Sequence, residues 1–161
     1  MQDLLLNFGN WLQNSAVGLF VSGTSWGYPF VRLIHILGLS LWVGTIAMLD
    51  LRLLGLAGRR YTLLAVAELL SPLAWTGLGL ALIGGFLLFS GIASSYVQNA
   101  AFRLKFPLVL LGIAYHIVIQ RNIPKWSQSA ATPPLAKLSG CVELALWLGI
   151  LITAVEIPNY A

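Results

Sequence analysis

Along the first twenty-odd residues, apolar side chains interleave with amides. Leu4, Leu5, Phe8, Trp11, Leu12 and Leu19 recur against Asn7, Asn10, Gln13 and Asn14. The pattern is amphipathic and predicts a helix over 4–22 that lies at a membrane interface or caps a bundle, with Trp11 suited to headgroup depth. Gly23, Gly27 and Pro29 then interrupt it. Beyond them no polar face recurs: four long apolar runs follow, near 30–55, 70–92, 103–122 and 138–158. Each approaches the roughly 20 residues that cross a bilayer. The links are short, so neighbouring spans should run antiparallel in an up-and-down bundle. The third link, Asn122 to Pro134, carries Pro124, Pro133 and Pro134 and reads as a loop rather than a domain boundary. The expected fold is an all-α membrane protein, a four-helix transmembrane bundle with an N-terminal amphipathic helix, in which residues 1–161 form a single membrane domain.

Composition sharpens this. Of the 161 residues, 58% are apolar and 9% charged, and the mean hydropathy is +0.86. A soluble domain carries about 25% charged side chains, so a water-soluble enzyme and a disordered chain are both excluded. Cys141, the single cysteine, rules out an internal disulfide and a cysteine-based metal cluster. The first residues, Met1-Gln2-Asp3, lack the basic start of a secretory signal, so no cleaved targeting segment is expected.

The net charge of +4 is arranged as a membrane pattern and not as a nucleic-acid surface. Arg52, Arg59, Arg60, Arg121, Lys125 and Lys137 flank the spans on one side, and Arg32, Arg103 and Lys105 on the other. The positive-inside rule then predicts a multi-pass protein of a bacterial inner (cell) membrane with both termini periplasmic. Membrane lipid is the first expected partner.

The ionisable residues within the spans carry the chemistry. A charge at the bilayer centre costs at least about 2.5–3.5 kcal/mol, so such residues should face the bundle interior or lie near an interface. Counting a rise of about 1.5 Å per residue sorts them into two layers. Arg32, His35, Arg103, Lys105 and Glu156 fall near the outer face, and Asp50, His116 and Glu143 near the inner face. His35 and Trp42 share one helix face. Lys105, Gly112 and His116 share another, with Lys105 and His116 about 16 Å apart along the axis. His116 and Glu143, at about 7–9 Å from the inner end, are expected to interact, and with Asp50 they form a structural tie, a proton path or a second site. Gly77, Ala81 and Gly85 form a small-residue stripe that serves close helix packing or admits a flat cofactor.

Two segments carry a family likeness. His35-Ile-Leu-Gly-Leu-Ser-Leu-Trp42-Val-Gly44 resembles the first-span motif of the HemJ-type protoporphyrinogen IX oxidases, shared loosely with CopD-type copper-resistance membrane proteins. Phe102-Arg-Leu-Lys105-Phe-Pro-Leu-Val-Leu-Leu-Gly-Ile-Ala-Tyr115-His116 is similar to the third-span pattern of the same oxidases, a Lys followed eleven residues later by a His. The resemblance implies one haem b per chain, with His35 and Lys105 as its axial ligands.

The common depth of that pair agrees, and Arg32 and Arg103 lie in the same layer, where they could hold propionates. His116 is the alternative second ligand. Trp42, Trp75 and Phe86 are porphyrin walls or ordinary core. Against these stand simpler readings: His35 hydrogen-bonded to a neighbouring span, and Lys105 snorkelling to the headgroups.

Three functions compete. One is electron transfer by a haem b membrane protein, with a quinone or redox protein as partner. Another is a HemJ-like oxidase acting on a porphyrinogen. The third is a transport or accessory subunit in a homo-oligomer or larger complex. Copper transport would use soft sulfur ligands, and only Met1, Met48 and Cys141 supply sulfur.

Overall fold

The computed structural model describes residues 2–129 and 131–156, the side chains of Gln2 and Glu156 lying outside the described set. Its helices are α1 (Gln2–Gln13), α2 (Ala16–Gly23), α3 (Gly27–Leu53), α4 (Leu63–Gly91), α5 (Ala93–Gln98), α6 (Ala100–Trp126) and α7 (Pro134–Glu156). No strand occurs among the described residues. Helices α3, α4, α6 and α7 are long and apolar enough to cross a membrane, as the four apolar runs predict.

The differences lie at the ends. The amphipathic segment is two helices, not one. At the corner Ser15 donates its hydroxyl to Leu12 O (2.6 Å) and accepts from Gly18 N (3.2 Å), capping α2. Helix α4 starts at Leu63 and not near 70, because Thr62 caps it through Ala65 N. The added turns then place Leu63, Ala67 and Leu70 in the core. Helix α6 runs on through Pro124 to Trp126. The proline costs a backbone hydrogen bond, which the burial of Ile119 and Ile123 beside it offsets. Among the described residues, only the turn between α3 and α4 needs special backbone: Gly55 and Gly58 take φ of +75° and +62°, where a side chain would be strained.

Helix α3 packs most extensively on α4, and α6 on α7; α3 also meets α7, and α4 meets α6. Helices α3 and α6 are therefore diagonal, with no Cα pair within 8 Å among the described residues. Their larger side chains meet in the bundle centre. Helices α1 and α2 wrap the end where α3 begins, α1 lying on α5. Gln13 Oε1 accepts from both the amide and the hydroxyl of Ser94. Outward-facing Leu69, Ile83, Phe106, Leu110, Leu148 and Ile152 are exposed, as befits surfaces solvated by acyl chains.

Candidate functional site

Two polar layers are built on this frame, separated by a core of Ile46, Ala74, Leu78 and Ile150 around Trp42 and Trp147. The outer layer starts from the α3–α4 seam. A Cβ on Gly38 would stand 2.4 Å from Ala81 N, one on Gly77 2.5 Å from Trp42 N, and one on Gly84 2.9 Å from His35 Cα. The two backbones are in contact, so the stripe serves helix packing and leaves no slot there for a flat group. That contact positions His35. Its Nδ1 lies 2.7 Å from Ala81 O. A carbonyl only accepts, so Nδ1 carries the proton and donates it, and Nε2 keeps its lone pair.

Lys105 comes across from α6 to within electrostatic reach of His35, and both are half-buried. Arg32 and Arg103 are exposed at the same end. Nearby, Phe89, Tyr96 and Phe102 form a stack, Phe89–Phe102 and Tyr96–Phe102 both at 5.2 Å with planes 5° apart. Burial and the neighbouring Tyr28 push the Tyr96 phenol above the usual tyrosine range, and Arg32 offsets part of that rise.

The inner layer draws on all four spans. His116 from α6 is fully buried, with its Nδ1 2.8 Å from Glu143 Oε1 on α7. Gln120, one turn along α6, donates its Nε2–H to His116 Nε2 at 3.2 Å. The ring proton therefore sits on Nδ1 and is donated to Glu143, leaving neither nitrogen free. Three tryptophans enclose the ring: Trp42 of α3 at 4.9 Å between centroids, Trp75 of α4 at 5.8 Å, and Trp147 of α7 against Trp42 at 5.4 Å.

Asp50 of α3, also fully buried, lies close enough to Glu143 for the two carboxyls to interact. Both Asp50 oxygens and Glu143 Oε2 lack any protein donor. The approach is set by Gly140, whose Cβ would stand 3.3 Å from Asp50 O. Two ionised carboxylates facing each other away from water repel, so sharing one proton favours the pair. Among the described residues no trio of His, Cys, Asp and Glu forms a metal-holding group.

Two layers follow from counting depth, and the structure assembles both. It joins His116 to Glu143 as expected, though deeper: ten residues of α6 and nine of α7 separate them from the helix ends, roughly 13–15 Å and not 7–9 Å. Of the residues assigned to a haem, His35 and Lys105 lie within electrostatic reach of each other in the outer layer, and Arg32 and Arg103 are exposed at the same end. Trp42 and His116 pack on each other in the inner layer, and Trp75 joins them. Phe86 points outward, exposed. The sequence reading missed Gln120, Trp147 and Gly140. Each had a signal, since Gln120 follows His116 by four residues, Trp147 follows Glu143 by four, and Gly140 precedes Glu143 by three.

Comparison with protein-family models, curated proteins and solved structures finds no match to this chain.

Proposed function

We propose that the protein is a haem b membrane protein whose outer layer carries electrons within the membrane. The observation that carries the reading is the His35 hydrogen bond to Ala81 O, 2.7 Å. A metal-ligating histidine donates its other ring N–H to such a carbonyl, which sets the tautomer and the ring plane. The donor set fits the group. His35 offers Nε2, Lys105 offers an amine from the diagonal helix, and Arg32 and Arg103 stand free at the rim as propionate partners. The diagonal separation of α3 and α6 suits a ligand pair better than adjacent helices would. Haem supplies one-electron chemistry with few protein groups beyond its ligands. The chain's own residues fix the ligand geometry, compensate charge and exclude water.

The likeness to HemJ-type oxidases makes porphyrinogen oxidation the second reading, favoured by the aromatic stack of Phe89, Tyr96 and Phe102 beside this layer. The six-cation side is cytoplasmic and both termini periplasmic in a bacterial inner membrane, with a quinone or redox protein as partner.

Oxidised and dithionite-reduced absorption spectra of the purified protein test the proposal. The wild type should give a Soret band and a reduced α-band, and His35→Ala should abolish the α-band. Lys105→Arg should not restore what Lys105→Ala loses, because guanidinium stays protonated and donates no lone pair. A wild type without a Soret band after haem supplementation refutes the redox reading.

A further inference from the structure

We propose that Asp50 and Glu143 form a membrane-embedded proton-binding site, in which one exchangeable proton is held between the two carboxyls. Both side chains are fully buried. Three of their four oxygens meet no protein N–H or O–H, and the fourth, Glu143 Oε1, already takes the His116 proton at 2.8 Å.

Helix α6 presents His116, whose Nδ1–H goes to Glu143, and Gln120. Helix α3 adds Trp42, and α7 adds Trp147. Helix α4 offers Trp75, its one carboxylate, Glu68, being exposed. The nearest basic residues are turned elsewhere: Arg52 donates to Tyr61 O, and Arg121, Lys125 and Lys137 are exposed. No cation among the described residues compensates the pair, so a bare proton is the ligand its chemistry selects.

With that proton bound, one carboxyl is an acid that donates to the other, a carboxylate, and the pair carries a single negative charge. Uptake takes one proton from water and adds one positive charge; release reverses both. Asp50 stands three residues from the end of α3, about 5 Å along the axis, on the side of the Arg59–Arg60 turn. One apolar cluster around Trp42, Leu78 and Ile150 closes the far side, and another around Leu49, Leu53 and Ile123 lies on the near side, so proton exchange requires the helix ends to open. The site is independent of haem, and its test needs none.

Infrared spectra of the full chain in lipid vesicles at pH 8 decide the matter. A carboxylic C=O band that responds to substitution of Asp50 or Glu143 reports the buried pair. The wild type should show one such band, and it should move when water is replaced by deuterium oxide. Asp50→Asn should remove it, since Glu143 then keeps the His116 donor and gains an amide N–H. Glu143→Gln should shift its frequency, leaving Asp50 as the acid. Should Asp50→Asn fail to fold, the wild type and Glu143→Gln still decide. A wild type with no carboxylic band, a band insensitive to both substitutions, or one that never exchanges with deuterium overturns the proposal.

Discussion

The contact between α3 and α4 leaves no room for a single added carbon, and Gly38→Ala tests this. The new Cβ would stand 2.4 Å from Ala81 N, 2.8 Å from Leu80 C and 2.9 Å from Gly77 O. All three are backbone atoms, so no side chain can swing aside. Ordinary contact begins at 3.4 Å, so the helices must part by about 1 Å at this level. Gly38 lies one turn from His35, whose bond to Ala81 O would stretch from 2.7 Å to about 3.7 Å, beyond hydrogen-bond range. Overpacking costs about 1–3 kcal/mol and the lost bond about 1 kcal/mol, so Gly38→Ala should destabilise the bundle by about 2–4 kcal/mol. Reversible unfolding in mixed micelles measures it. Gly79→Ala is the control, because its Cβ would meet nothing within 4 Å, and it should cost less than about 0.5 kcal/mol. If Gly38→Ala loses no more than Gly79→Ala, the seam is not in backbone contact, and the account of how His35 is positioned fails with it.

Two further outcomes follow from the same geometry. His116→Leu removes the N–H that Glu143 Oε1 accepts and should cost about 1–3 kcal/mol, the range for leaving a buried acceptor unsatisfied; it should leave any bound haem in place, and complete haem loss would move the ligand role to His116. In a Cys141→Ala background, Arg59→Cys should react with an impermeant maleimide only after the inner membrane is opened, and labelling in cells with only the outer membrane permeabilised would reverse the topology.

Much of the architecture is legible in the linear chain because a bilayer imposes length and polarity on each span separately. The four apolar runs predict α3, α4, α6 and α7, since a helix that crosses lipid must satisfy its backbone within itself. The order of the ionisable residues along the spans follows from simple counting, which separates an outer His35–Lys105 layer from an inner Asp50–His116–Glu143 layer, although His116 and Glu143 lie deeper than counted because α6 and α7 extend past the apolar runs. Helix ends were less accessible. They depend on caps and on packing: Thr62 starts α4 early, and buried Ile119 and Ile123 carry α6 through Pro124.

Which face each span turns to its neighbour was decided by tertiary structure alone. A bundle interior lacks the hydrophobic contrast that marks a buried face in water, so the apolar pattern says little about which side of a span faces a partner. Close approach through Gly38, Gly77 and Gly84 set α3 against α4, turned the small-residue stripe into a packing seam, and gave His35 its hydrogen bond to Ala81. The same placement drew Trp42 inward to His116 and not outward beside His35. Gly140, letting α7 approach α3, brought Asp50 and Glu143 together. No periodicity along one helix encodes that meeting, because it depends on the rotation of two helices distant in sequence.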